Sequence, residues 1–408
     1  MNAQNVDSIQ FDNIMDDSIK MFDDNTISLL DDLFNSDYHE NEPGAAILIL
    51  INNHIVYQRC FGLANLDTCE KITADTNFRL ASLTKQFTAY GIILLEQQNK
   101  LSKNDTLRHF FSEQFQNKCP FVSNHVTIQH LLDHSSGIFD YEINDLEDHD
   151  QWSDYDVLET INDKTFFTPG SHYRYSNTGY ILLGLIIEIV SRKSLDIFFY
   201  ENIFQPFNMK TSCLYNSNQT VIKNRAFGYI KQTDEQNFIM FDQSSTSATR
   251  GDGGIYMSLN NYLQWYRHYH KLSSTSKPFL IDEPPSDTYH YNLGWFLPDS
   301  TGKIRLHSVI AGATARECYK CTACPKPFKG NEAGVSKVTV SDNNYCEKTI
   351  LPVVNTESRG DGGADCKPVD KYTFCCKGDL CNGVTTGTWS AKLLVAVASL
   401  FFVVQYFH

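Results

Sequence analysis

One stretch of sequence decides the fold of this chain: residues 78–89 read FRLASLTKQFTA. Apolar side chains recur after Ser82 at the spacing of one face of an α-helix, which predicts a long helix that begins at this serine. The hydroxyl of Ser82 then lies at the positive end of the helix dipole, and Lys85 follows one turn later along the same face. The predicted apolar face consists of Leu83, Phe87, Tyr90 and Leu94.

The chemistry of this pair depends on the state of the lysine. An amine that is taken out of water loses its proton more readily, and it can then accept the proton of a serine hydroxyl. Ser82 is therefore a candidate nucleophile and Lys85 a candidate activator. The same four residues also fit an N-cap serine followed by a surface lysine, because Ser-x-x-Lys often occurs by chance.

A second candidate element is the Tyr-Ser-Asn sequence of residues 175–177, which precedes the apolar run of residues 180–190. A tyrosine hydroxyl near a lysine can act as a base toward the nucleophile and as an acid toward the leaving group. The amide of Asn177 can hold a substrate carbonyl. The apolar run is too short to span a bilayer, so it predicts a buried core helix. The alternative is a helix start in which these residues only cap the helix.

The flanking sequence predicts an α+β fold. Residues 44–62 read as two strands around a turn at Asn52 and Asn53, which is typical of a β-hairpin. From Ser82 to about residue 270 the chain reads as largely helical. Strands, helices and then further strands indicate a sheet packed with a helical block. The remaining assignments are an acidic lead-in over residues 1–43, a loop over residues 271–287, and strands over residues 292–296 and 304–306.

Four segments resemble one family, the serine β-lactamase and penicillin-binding protein-like hydrolases, in their class C and esterase-like branch. They are residues 78–89, residues 128–137 (IQHLLDHSSG), residues 169–179 and residues 251–258. The resemblance covers most of residues 44–310. It implies a β-lactamase/transpeptidase-like fold, with an antiparallel sheet and an α-helical subdomain.

The resemblance also implies roles for single residues. Ser82 is the acylated nucleophile, Lys85 its activating amine and Tyr175 the general base and acid. Asn177 contacts the substrate, and the Ser82 N–H binds part of the oxyanion. The implied substrate is a small molecule or peptide with an ester, amide or β-lactam carbonyl, and no metal or organic cofactor is required. His134 belongs to a turn in this family, so we do not expect it to act as a base.

The family's third motif is a lysine or histidine, a small residue and a glycine on a strand beside the site. The matching residues are His307, Ser308 and Val309, so His307 and Ser308 are predicted substrate contacts. Val309 stands where glycine lets the backbone approach the substrate closely. The strands and helix that follow this motif in the family are absent from the sequence. We therefore expect a hydrolase that is incomplete after residue 310, with an exposed sheet edge and an incomplete oxyanion wall.

Residues 316–383 resemble the three-finger domains of the lymphocyte antigen 6 and urokinase receptor group. Such a small all-β domain depends on its disulfides and binds protein partners outside the cell. The resemblance implies a bridge between Cys376 and Cys381. A zinc site at Cys318 and Cys321 is the alternative, but no second cysteine or histidine pair follows at zinc spacing. The predicted disulfide cysteines are Cys318, Cys321, Cys324, Cys346, Cys366, Cys375, Cys376 and Cys381.

Residues 384–408 form a tail with a polar spacer and a final apolar run. This order predicts a glycosylphosphatidylinositol attachment signal, with Asn382 or Gly383 as the attachment residue. The alternative is a C-terminal membrane helix, for which the apolar run is short. The acidic N-terminus shows no secretion signal, so the hydrolase part alone is expected in the cytoplasm and the C-terminal part outside the cell on a membrane.

The net charge of −14 argues against nucleic acid as a partner. Three readings of function stay open: an active serine hydrolase, a lipid-anchored three-finger binding protein with an inactive hydrolase remnant, and a composite of two gene products. The third reading rests on residues 313–315 (Ala-Thr-Ala), which fit the cleavage site of a signal peptide.

Two Arg-Gly-Asp sequences occur, at residues 250–252 and 359–361. The first lies in the hydrolase segment, where we predict a structural role. The second falls on a predicted loop of the cysteine-rich part, where an adhesive role is the alternative to the chance recurrence of a short motif.

Overall fold

The structure is a computed structural model. It describes residues 22–51, 53–141, 151–215, 221–231, 237–275 and 290–297, together with the backbone of five strands between residues 316 and 376.

The N-terminal part consists of a helix packed on a β-hairpin. Helix α1 (Asp24–Asp37) begins after Asp23, whose carboxylate accepts a hydrogen bond from the Thr26 N–H at 2.8 Å. Strands β1 (Ala45–Ile51) and β2 (His54–Phe61) pair antiparallel, as the sequence predicts. Phe34 of α1 lies against the rings of Tyr57 and Phe61 on β2. Part of the acidic lead-in is therefore attached to the hairpin.

The middle of the chain is a helical block interrupted by short strands. The strands are β3 (Leu63–Asn65), β4 (Glu70–Lys71), β5 (Asn77–Arg79), β6 (Cys213–Leu214), β7 (Tyr229–Lys231), β8 (Phe238–Met240) and β9 (Ile255–Ser258). The helices are α2 (Thr84–Gln97), α3 (Glu113–Lys118), α4 (Pro120–His125), α5 (Ile128–Leu132), α6 (Asp154–Thr160), α7 (Asn177–Ser191), α8 (Leu195–Phe199) and α9 (Leu259–Thr275). Short 3-10 helices cover Ala81–Leu83, Leu107–His109 and Ser245–Ala248, and a π-helix covers Tyr200–Phe204.

Helices α2 and α7 form the centre of the main core. Residues 178–187 of α7 are all buried, so the prediction of a buried core helix is confirmed. Phe87 of α2 stacks on Trp265 of α9, with ring centroids 4.2 Å apart. Gly91 lets α2 approach the side chain of Ile187, since an added Cβ would lie 2.8 Å from it. Within the described parts of the chain, no helix has the length and apolar content that crossing a bilayer requires.

A three-stranded antiparallel sheet in the order β5-β9-β6 leads into the helical block. Strand β5 runs directly into the 3-10 helix before α2, and β9 is preceded by a tight turn. The start of α2 and the start of β9 therefore meet at the same place.

The predicted strand over residues 292–296 is instead a hairpin of β10 (His290–Asn292) and β11 (Trp295–Leu297). Leu293 and Gly294 have φ angles of 51° and 86°, which interrupts an extended strand. The turn packs on the backbone of α2: an added Cβ at Gly294 would lie 2.6 Å from Gln86 N. Glycine is therefore required at this contact.

Beyond the hairpin in sequence, the structure describes five further strands: β12 (Arg316–Cys324), β13 (Ser336–Val340), β14 (Tyr345–Leu351), β15 (Thr356–Gly363) and β16 (Thr373–Cys376). They form an antiparallel sheet in the order β13-β12-β15-β14-β16. The three-finger arrangement of this region stays a prediction. The predicted residues His307, Ser308, Cys366, Cys381, Asn382 and Gly383, and the tail, lie outside the described residues.

Candidate active site

Ser82 lies in the 3-10 helix Ala81–Leu83, immediately before α2, rather than at its first residue as the sequence predicts. The reason is the sheet pairing. The Leu80 N–H donates to Ile255 O at 2.7 Å, so pairing with β9 continues to Leu80 and the chain must turn sharply at Ala81. Ala81 has a φ of 43°, a left-handed conformation that is strained for a residue other than glycine. The turn presents the Ser82 side chain at a partly exposed position.

Lys85 is fully buried, with 0% of its surface exposed. Its Nζ donates to Ser82 Oγ at 3.2 Å, to Asn177 Oδ1 at 2.6 Å and to the backbone oxygen of Asp252 at 3.0 Å. The structure thus brings the predicted nucleophile, the predicted activator and the predicted substrate contact around one nitrogen. The alternative interpretation, an N-cap serine followed by a surface lysine, requires an exposed Lys85 and does not fit its burial.

Aromatic rings surround the same amine. Lys85 Nζ lies 5.0 Å from the ring centroid of Tyr175 and 5.7 Å from that of Tyr180. Burial raises the pKa of Tyr180 and of Tyr291 well above the usual value of a phenol, so both hydroxyl groups stay protonated. Tyr175 is only partly buried. It is therefore the phenol of this group that combines contact with Lys85 and access to a substrate.

The N-terminus of α7 holds Asn177 in place. Ser176 caps the helix, since its Oγ accepts from the Gly179 N–H at 3.1 Å. Asp140 accepts from the Asn177 N–H at 2.9 Å, from the Thr178 N–H at 3.2 Å and from the Thr178 hydroxyl at 2.9 Å. The capping reading of residues 175–177 and the catalytic one are thus compatible. Asp140 could not be found from the sequence, because it lies 37 residues before Asn177 and no local pattern links them.

His134 has a supporting position, in agreement with its predicted place in a turn. It is fully buried with a φ of 60°, and its Nδ1 accepts from the Ser176 N–H at 3.1 Å. Its ring lies 4.3 Å from that of Tyr175 and 4.2 Å from that of Tyr291. His134 therefore supports the backbone and ring of the segment that carries Tyr175 and Asn177.

Asp252 is a second residue of the site that the sequence does not indicate. Its backbone oxygen accepts a hydrogen bond from Lys85 Nζ. Every residue carries a backbone oxygen, so the residue type at position 252 does not predict this contact. Its own carboxyl group is buried, and burial raises the pKa of Asp252, although Lys85 in its charged form opposes the shift. Arg250 forms shielded ion pairs with Asp154 and Glu188, so this Arg-Gly-Asp sequence is structural, as predicted.

In the residues that the structure describes, no cluster of three or more His, Cys, Asp or Glu side chains is arranged to hold a metal ion. His307 and Ser308 lie outside those residues, so their contact with the substrate stays a prediction.

Comparison with known proteins agrees with this geometry. Residues 24–319 match the family described as Beta-lactamase. The chain belongs to the β-lactamase family. The match begins within the predicted lead-in, at the start of α1, and it ends inside β12. The β-lactamase/transpeptidase-like fold expected from the sequence is therefore confirmed.

Similar proteins include penicillin-binding protein 4* of Bacillus subtilis (strain 168), which is 28% identical over 306 residues, covering 69% of this chain and 66% of that protein. The octameric penicillin-binding protein homologue from Pyrococcus abyssi has a TM-score of 0.55 and 25% identity, covering 67% of this chain and 65% of that one. The penicillin binding protein from Bacillus halodurans has a TM-score of 0.56 and 22% identity, covering 81% and 93%. The chain spans about half to two thirds of the length of the curated relatives it matches.

Proposed function

We propose that this β-lactamase-family chain is a serine hydrolase that forms an acyl-enzyme at Ser82. The environment of the Lys85 amine carries the proposal. A neutral amine has two N–H donors and one lone pair. Asn177 Oδ1 and Asp252 O can only accept hydrogen bonds, whereas the Ser82 hydroxyl can donate one. When the amine is neutral, its two N–H groups can donate to these two acceptors, and its lone pair can accept the serine proton.

The burial of Lys85 favours this neutral state, because a charged ammonium loses its hydration in a buried site. As Oγ bonds to the substrate carbonyl carbon, the serine proton moves to Lys85 Nζ. The developing oxyanion is stabilised by the backbone N–H of Ser82, which has no acceptor among the described residues.

Tyr175 completes the acylation step. Its hydroxyl protonates the leaving group as the carbonyl bond to that group breaks, and it regains a proton from Lys85. In the second step a water oxygen bonds to the acyl carbon and gives one proton to the Lys85 amine. Lys85 returns a proton to Oγ as the bond between Oγ and the acyl carbon breaks, which releases the acid and the free Ser82 hydroxyl. The Asn177 amide, with His307 and Ser308, holds the substrate.

The proposed substrates are small molecules or peptides that present an ester, amide or β-lactam carbonyl. Support comes from the family match and from similar proteins that are named penicillin-binding proteins. The fold itself hosts several acyl substrates, so it does not choose among them.

The test is covalent labelling of the full chain with a fluorophosphonate and, separately, with a fluorescent penicillin. We expect the intact mass to increase by one acyl or phosphonyl group on Ser82, identified by peptide mapping. Ser82→Ala should abolish the increase, and Lys85→Met should slow it roughly a thousandfold. A wild-type chain that neither probe modifies would instead identify the hydrolase part as an inactive remnant.

We also propose that residues 316–383 form a disulfide-bonded three-finger domain that binds a protein partner, and that residues 384–408 direct a lipid anchor to Asn382 or Gly383. Support comes from the eight cysteines of this region and from the antiparallel pairing of its five strands. After expression in animal cells, phosphatidylinositol-specific phospholipase C should release the chain from the cell surface. Surface chain that resists the phospholipase would favour a membrane helix.

The junction between the two parts can be tested directly. Trypsin should release residues 306–316 as one peptide if the chain is a single natural polypeptide. Its absence, with peptides found on both sides and a mature N-terminus at Arg316, would identify two separate proteins.

A further inference from the structure

The turn of residues 250–253, just before β9, is tied to α6 and α7 through Arg250. Its Nε donates to Asp154 Oδ2 at 3.0 Å, and its backbone N–H donates to Asp154 Oδ1 at 2.8 Å. Its Nη1 and Nη2 donate to the two carboxylate oxygens of Glu188 at 2.9 and 3.2 Å. The side chains of Asp154 and Glu188 are only 0% and 13% exposed. Loss of the guanidinium therefore leaves shielded carboxylates unpaired.

The same turn is tied to α2, the helix that carries Lys85. The Thr88 hydroxyl donates to Gly251 O at 2.6 Å, and Lys85 Nζ donates to Asp252 O at 3.0 Å. Thr88 and Lys85 are three positions apart, so they are neighbours on one face of the helix. Two consecutive carbonyl oxygens of the turn are thus directed at this face.

At Gly251 the backbone of the turn packs directly on the backbone of α7. An added Cβ at Gly251 would lie 2.5 Å from Tyr180 O, and one at Gly184 would lie 3.1 Å from the Cα of Gly251. Backbone packs on backbone here, with no flexible side chain to absorb a shift. A displacement of Arg250 is therefore transmitted to the neighbouring carbonyl groups.

We propose that Arg250 is a positioning residue for Lys85. It fixes the carbonyl of Asp252, which accepts one N–H of the neutral amine and so keeps the lone pair directed at Ser82. With this carbonyl displaced, the amine loses a fixed acceptor and can rotate away from the serine hydroxyl. This inference rests on the function proposed above, because it concerns the activation of Ser82.

The test compares rate constants for the reaction of Ser82 with the fluorophosphonate, measured on folded, full-length chains by intact mass. Arg250→Met removes the charge but keeps most of the side-chain length. Arg225→Met is the matched control, because Arg225 and Asp242 form another shielded pair with side chains 14% and 16% exposed. Arg250→Lys tests rescue by charge, and Thr88→Val removes the other tie of the turn without touching a charge.

We expect Arg250→Met to lower the rate constant roughly 30-fold or more. Arg225→Met should lower it less than about threefold. The rate constant of Arg250→Lys should be within about fivefold of the wild-type value. Thr88→Val should lower it about fivefold, and this variant decides the question if Arg250→Met does not fold. Equal rates for the wild type, Thr88→Val and any folded Arg250 variant would overturn the positioning role and leave the hydrolase proposal intact. A wild-type chain without labelling at Ser82 would overturn both.

Discussion

Single atoms decide the packing around Ser82, as two glycines of the 250–253 turn illustrate. A Cβ on Gly251 would lie 2.5 Å from the backbone oxygen of Tyr180, which cannot move aside. A Cβ on Gly253 would lie 3.7 Å from the Cα of Ala81, an ordinary contact. The two positions are two residues apart and yet differ in the room that they offer.

We therefore expect Gly251→Ala to lower the free energy of unfolding by about 1–3 kcal/mol and Gly253→Ala to change it by less than about 1 kcal/mol. Urea unfolding followed by circular dichroism measures both. If both variants lost the same free energy of unfolding, the turn would not approach α7 as closely at Gly251 as described.

The N-terminus of α7 forms part of the site, because the hydrogen bonds that cap the helix also hold Asn177 in position. Asp140→Ala removes three hydrogen bonds from this end. It should lower the free energy of unfolding by about 1–2 kcal/mol and slow fluorophosphonate labelling of Ser82 roughly tenfold.

Ser112→Ala provides the control for this prediction. Ser112 caps α3, where its Oγ accepts from the Phe115 N–H at 3.3 Å. Its loss should lower stability by a similar amount without slowing the labelling. Slower labelling in both variants would assign the effect of Asp140 to stability alone.

The ion pairs between α6, α7 and the 250–253 turn predict a pH dependence of stability. Burial, opposed by Arg250, raises the pKa of Asp154 from 3.8 to about 7. Between these values the folded state holds a proton that the unfolded state has released. The contribution of Asp154 to stability is therefore greatest at low pH and is lost progressively as the pH rises toward 7.

Asp154→Asn cannot titrate, so it isolates this effect. We expect the unfolding free energy of the wild type, relative to this variant, to fall by about 2–3 kcal/mol between about pH 5 and about pH 8. Asp31 supplies a control of opposite sign. Burial raises its pKa, but the hydrogen bonds from Arg59 and Tyr57 outweigh burial and lower it. Relative to Asp31→Asn, the wild type should therefore gain stability as the pH rises. A flat difference for Asp154→Asn would contradict the burial of its charge.

At the scale of the whole molecule, the thiols of the hydrolase part can be compared with the cysteines of the proposed disulfide domain. Cys60, Cys69, Cys119 and Cys213 are free thiols, and only Cys69 among these four is exposed. Burial raises the pKa of Cys60 and Cys119, and that of Cys213 to about 11. Only a small fraction of each of these three thiols is therefore ionised near neutral pH. The thiolate is the form that reacts, so the three react slowly.

Iodoacetamide should therefore modify Cys69 of the native chain first. Denaturant without reductant should expose four thiols in total, and the eight C-terminal cysteines should react only after reduction. Peptide mass spectrometry counts the modified cysteines. Modification of more than four cysteines before reduction would contradict the proposed disulfide domain.

The sequence predicted those parts of the site that depend on residue type and short spacing. The hairpin turn at Asn53, the buried run of α7 and the pairing of Ser82 with Lys85 all follow from local patterns. Asp140, Arg250 and Asp252 did not, because their contacts with Asn177, Asp154 and Lys85 span 37, 96 and 167 residues. The strand predicted over residues 292–296 was wrong at Leu293 and Gly294, where packing against Gln86 favours a turn.

What the sequence by itself determined is that a serine and a lysine lie one turn apart at the start of a helix, since helix geometry places such residues side by side. Only the tertiary structure decided which atoms complete the environment of the lysine. One of them is the backbone oxygen of Asp252, and every residue of the chain carries such an oxygen. Residue identity therefore cannot mark it, and the packing of the 250–253 turn against α2 and α7 selects it.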